Sequence, residues 1–86
     1  MNEKYNGWTN WETWMTALWM ENDQGEYNYW LEVSRSCSDA HELSEIIKEQ
    51  FDYIIETHVP NTGWLCDLVY GTFNTINFYE IAEHWI

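Results

Sequence analysis

Apolar side chains recur along this chain at intervals of three and four, the spacing that places them on one face of an α-helix. The clearest run is Leu43, Ile46, Ile47, Phe51, Ile54 and Ile55. It predicts a long third helix closed by His58, Val59 and Pro60, because the residue before a proline is pushed out of the α region. Trp11, Trp14, Met15, Leu18 and Trp19 predict a first helix over about residues 10–21, with those tryptophans on the core face. Tyr27, Trp30, Leu31 and Ser34 predict a second over about residues 24–37. Asn61, Thr62 and Gly63 form a loop, followed by a fourth helix over about residues 64–73 and a short fifth over about 78–86. No alternating strand pattern competes. The expectation is an all-α, single-domain bundle of about five short helices.

The helix starts carry their own signals. A Ser, Thr, Asp or Asn cap accepts from the third helical N–H, and a Glu at that third position reaches back to the cap. Four such pairs occur: Thr9/Glu12, Asp23/Glu26, Asp39/Glu42 and Asn77/Glu80. Ile76 and Ile81 flank the last pair at the spacing of a hydrophobic staple.

Composition narrows the function. The 86 residues hold 15 acids against 3 bases, a formal charge of −12. Phosphate contacts need clustered Lys and Arg, and Lys4, Arg35 and Lys48 are the whole supply, so direct binding of nucleic acid or of an anionic membrane surface is disfavoured. With 7 Trp, 6 Tyr and 3 Phe, the chain has the large apolar surface that acidic disordered segments lack. No apolar run reaches the length of a membrane span, and no signal segment opens the chain. Two cysteines, Cys37 and Cys66, are fewer than small secreted scaffolds use. The expectation is a folded protein in a reducing intracellular compartment.

Placed on the third helix, Glu42, Glu45, Glu49, Asp52 and Glu56 form one stripe on the side opposite the apolar run. At a rise of about 1.5 Å per residue these five charges extend over about 21 Å. Like charges four residues apart repel by a few tenths of a kcal/mol, and only Lys48 interrupts the row. Glu21, Asp23, Glu26 and Glu32 form a second cluster, and Glu80 with Glu83 a third. The functional reading is a surface that imitates nucleic-acid phosphates and occupies a cationic groove. A solvated face serving solubility, or the acid excess of a halophile, is the alternative.

Other constellations carry less. Trp8 and Trp85 are expected to be partly exposed, but a base-stacking platform needs a basic rim. Tyr5, Tyr27, Tyr29, Tyr53 and Tyr79 would add contacts beside the charges. His41/Glu45 and Glu80/His84 are four apart, neither a zinc motif nor the Glu-x-x-His of a di-iron bundle. Cys37 and Cys66 fit the apolar registers of their helices, and no phosphate loop or nucleophile elbow is present. No catalytic residue, metal site or cofactor is assigned, and an enzyme has no support.

The segment Asn6-Gly7-Trp8-Thr9-Asn10-Trp11-Glu12-Thr13-Trp14, continued by Leu18-Trp19 and Asn22-Asp23-Gln24-Gly25, resembles a family of short phage and mobile-element proteins. Members open with Asn-Gly-Trp-(Thr/Ser)-Asn-Tyr-Glu-Thr-Trp, with Tyr common where Trp11 stands here. Phe78 to His84 is similar to that family's closing segment. The resemblance implies a phage-encoded protein made in the host bacterial cytoplasm, and no agreed activity. Together with the charge it leads to an anti-defence inhibitor, anti-CRISPR or antirestriction in type. Its target would be a host nucleic-acid-binding protein: a CRISPR effector, a restriction enzyme, or a repair or nucleoid protein. The competing class is an acidic adaptor that is no mimic, a homodimer through exposed aromatics among its forms.

Overall fold

The computed structural model describes residues 5–86 and places five α-helices among them. These are α1 (Trp11–Asn22), α2 (Gln24–Arg35), α3 (Ala40–His58), α4 (Trp64–Phe73) and α5 (Phe78–Trp85). The fold is all-α, and the helices start and stop close to where the periodicity and caps place them. The core is built from Ala17 and Met20 of α1, Trp30 of α2, Leu43 and Ile47 of α3, Phe73 of α4, and Phe78, Ile81 and Ala82 of α5. The last helix, eight residues long, is therefore the central strut, packed chiefly against α3.

Ahead of α1, Asn6 and Gly7 hold φ of 49° and 90°. Positive φ at both central residues is the requirement of a type I′ turn, and Asn-Gly is the dipeptide that meets it most easily. The turn is closed by Tyr5 N–H to Trp8 O at 2.7 Å and Trp8 N–H to Tyr5 O at 2.8 Å. It sets the Tyr5 ring 4.9 Å from that of Trp14 and the Trp8 ring 5.2 Å from His84.

The caps hold with changes. Asn10, not Thr9, caps α1: its Oδ1 accepts from Thr13 N–H at 2.9 Å. Asp23, Asp39 and Asn77 cap α2, α3 and α5 as expected, each accepting from the third helical N–H. The glutamates do not return to their caps. Glu42 Oε1 accepts from Ser38 N–H and Ser38 Oγ, both at 2.9 Å, one residue ahead of the cap. Glu26 Oε1 takes the indole N–H of Trp30 at 3.0 Å, and Glu80 Oε1 takes Thr9 N–H at 3.1 Å.

That last bond belongs to a three-point tie between the opening motif and the start of α5. Asn10 Nδ2 donates to Thr75 O at 2.8 Å, and Asn77 N–H donates to Thr13 Oγ1 at 2.9 Å. The opening segment thus meets the loop before α5 and the first turn of α5, and polar residues join the two ends of the fold.

The tryptophan face of α1 needs correction. Trp11 is 47% exposed and Trp19 65%, while Thr13, Thr16, Ala17 and Met20 are buried. Apolar residues surround this helix, so periodicity alone does not choose its inner face. Small residues win because they let neighbouring helices approach, and both hydroxyls are satisfied: Thr16 donates to Glu12 O at 2.8 Å. Two other apolar-stripe residues, Tyr27 and Ile54, are also exposed.

Helix α4 is held at one end. Phe73 is buried with its ring 5.3 Å from Phe78, and Tyr70 O–H donates to Asp52 of α3 at 3.2 Å. Towards its start, where Gly63 (φ 100°) supplies no side-chain cap, Trp64 is 77% exposed and Leu68 50%.

Candidate partner-binding surface

The acidic residues divide by what they already hold. On α3, Glu42 is tied to Ser38, and these bonds from the Ser38 backbone and hydroxyl hold its carboxyl below the ordinary glutamate range. Asp52 is half-buried and receives the Tyr70 hydroxyl; the burial of Tyr70 itself, followed by the Asp52 charge, raises the Tyr70 phenol above its ordinary value. Both carboxylates serve the fold first. Glu45, Glu49 and Glu56 are exposed and make no side-chain hydrogen bond or ion pair among the described residues. They lie four and seven residues apart, on one side of α3, over about 17 Å at ~1.5 Å per residue.

The second cluster is more committed. Glu21 meets His84 Nε2 at 3.1 Å, the one ion pair among the described residues. Asp23 caps α2 and Glu26 holds Trp30. Of this cluster, Glu32 alone is exposed without a side-chain bond among the described residues. The Glu80/His84 pairing read from their spacing is not made, since Glu80 turns to Thr9 and His84 to Glu21. Of the bases, Lys48 and Arg35 are exposed without a carboxylate partner among the described residues, and Lys4 lies outside them. A row of three uncompensated carboxylates is what remains of the five-residue stripe.

Chemistry beyond charge is sparse. Among the described residues no group of three or more His, Cys, Asp or Glu is placed to hold a metal ion. Both cysteines are free; burial, then the charges of Glu42 and Asp39, push the Cys37 thiol up, away from the nucleophilic thiolate. No helix is long and apolar enough to cross a membrane, among the described residues.

Sequence reasoning missed a second surface. A trough of about 370 Å³ lies between α3 and α4, lined by Phe51, Ile54, Ile55, Leu68, Val69 and Phe73 among others. The signal was present: apolar residues fill positions 64–66 and 68–70, more than one face of a ten-residue helix can bury. With geometry in hand, comparison with known proteins adds one finding: residues 1–84 match a family of unknown function, DUF7249. The chain belongs to that family. No curated protein and no solved structure matches it. The family therefore brings no activity with it.

Proposed function

We propose that this DUF7249 member is a phage-type anti-defence inhibitor, anti-CRISPR or antirestriction, made in the host bacterial cytoplasm. It occupies the cationic groove of a host nucleic-acid-binding protein and performs no catalysis. The observation that carries this reading is the row Glu45, Glu49 and Glu56, exposed on the longest helix and without a basic partner among the described residues. A net charge of −12 steers such a row towards a basic cleft, raising association rates by about 10–10³ at low salt. Glu32 extends the charge on α2, while Glu42, Asp52, Glu21, Asp23 and Glu26 add potential from places fixed by the fold.

The test is capture of partners from host lysate at low and high salt, with excess duplex DNA as competitor. Mimicry predicts a nucleic-acid-binding partner that DNA displaces. It also predicts that the triple reversal E45K/E49K/E56K abolishes capture with helicity and melting unchanged. Asp52 is left intact in that variant because its bond to Tyr70 would confuse binding with stability. A partner indifferent to DNA, or to the reversal, makes this an ordinary acidic adaptor.

A further inference from the structure

We propose that the surface running from the α1–α2 turn across α3 to α4 is a docking groove for a cationic amphipathic helix of a partner protein. The partner's apolar side chains would fill the trough between α3 and α4, and a Lys or Arg would enter beside Asp23 and Glu26. This surface is separate from the Glu45–Glu49–Glu56 row, and the inference does not depend on nucleic-acid mimicry.

Two concavities make up the groove. The first is the apolar trough of about 370 Å³ already described. The second, about 410 Å³, is lined by Trp19, Asp23, Glu26, Tyr29, Trp30 and Phe51 together with Gln50 and Ile54. Phe51 and Ile54 line both, so the two adjoin at α3. The Trp30 and Phe51 rings stack at 6.3 Å beneath the junction, and Gln50 Nε2 donates to the Tyr29 hydroxyl along its side. Core packing thus fixes the floor, while Trp19, Tyr29, Ile54 and Leu68 stay exposed around it.

Charge selects the occupant. Asp23 uses Oδ2 to cap α2 and Glu26 uses Oε1 to hold Trp30, leaving each carboxylate one oxygen without a bond among the described residues. No Lys or Arg among the described residues lines the pocket. Aromatic faces beside two carboxylates suit a guanidinium or ammonium group, held by cation–π and ionic attraction together. The apolar end suits the i, i+3, i+4 and i+7 anchors of a helix laid in a groove. A second copy of this chain fits poorly: it brings another −12, and Arg35 and Lys48 are its only described bases.

The probe is a synthetic amphipathic peptide of about 14 residues, built from Leu and Lys with Leu at helical spacing. It is titrated into the full-length ¹⁵N-labelled protein at about 0.15 M salt, where exposed charges more than ~8 Å apart are screened. Saturable shifts are expected at the Trp19 indole N–H and the amides of Phe51, Ile54 and Leu68. Two charge-matched variants decide the matter. D23N/E26Q keeps the α2 cap and an acceptor for Trp30, and should weaken the peptide about five- to tenfold. E45Q/E49Q removes the same charge elsewhere and should change affinity less than twofold. L68S should weaken it about tenfold, with the far-ultraviolet circular dichroism of each variant unchanged.

Equal losses in the two charge-matched variants overturn the inference, as general attraction alone then explains binding. Shifts confined to the Glu45–Glu56 row overturn it too, as does the absence of saturation. So does a dimer of the free protein with the same residues at its interface, which gives the groove to a second copy. Because E45Q/E49Q spares this groove, its failure and that of the mimic reading are separable.

Discussion

Asn10 is the most informative single residue in the fold, because its amide does two jobs. Oδ1 caps α1 at 2.9 Å and Nδ2 reaches Thr75 O at 2.8 Å, tying α1 to the loop before α5. Losing an N-cap costs about 1 kcal/mol, and a side-chain bond to backbone about the same. Asn10→Ala should therefore destabilise by about 2 kcal/mol, a fall of roughly 8–16 °C in melting temperature for a domain of this size. Asn10→Asp keeps the cap and loses only the donor, so it should cost about 1 kcal/mol. Thr9→Ala should change stability by less than about 0.5 kcal/mol, since among the described residues only the Thr9 backbone N–H is engaged. Urea unfolding followed at 222 nm gives all three values. The reasoning fails if Thr9→Ala costs as much as Asn10→Ala, which would return the cap to Thr9. It fails equally if Asn10→Asp matches Asn10→Ala, which would mean that the cap contributes nothing, or if Asn10→Asp matches the wild type, which would mean that the tie to Thr75 contributes nothing.

Three further tests probe other parts of the molecule. Trp19→Ala should leave stability within about 0.5 kcal/mol, whereas Met20→Ala beside it should cost about 2–5 kcal/mol, reversing the order their sizes suggest. Burial and then Asp52 raise the Tyr70 phenol, so the fold favours its neutral form. That contribution is full below the ordinary tyrosine range and is lost as pH rises through Tyr70's higher midpoint. Carbon-13 titration of the tyrosine ring should find Tyr70 ionising above an unperturbed tyrosine, and nearer it in Asp52→Asn. Glu42 has the opposite sign: its depressed carboxyl stabilises above the ordinary glutamate range, and the benefit disappears as pH falls through its folded midpoint. Glu42→Gln should therefore narrow the stability gap between neutral and acid pH, measured by urea unfolding at a series of pH values.

Much of the fold was legible because its signals are local. A cap followed three residues later by glutamate specifies a helix start wherever the chain folds, and Asp23, Asp39 and Asn77 behave accordingly. The partners of those glutamates were not legible. Glu80 bonds to a residue 71 positions away, and nothing local distinguishes that from a return to Asn77. The inner face of α1 was obscured for another reason. Buried Thr13 and Thr16 read as polar, although a hydroxyl with a satisfied bond can enter a core, and exposed tryptophans read as core because area usually decides. The acidic stripe was visible as charge, but only side-chain contacts separate Glu45, Glu49 and Glu56 from the carboxylates that hold Ser38 and Tyr70.

The tie between the opening motif and α5 also governs when this protein can become native. Its bonds span 64 to 71 residues of chain, and α5 contributes Phe78, Ile81 and Ala82 to the core. Contacts so distant in sequence carry a larger closure entropy than the local bonds of the helices. An emerging polypeptide can assemble the α1–α2 hairpin, yet it has no complete interior until residues 78–85 have been made. Until then Trp30, Leu43 and Ile47 lack the helix that completes their core.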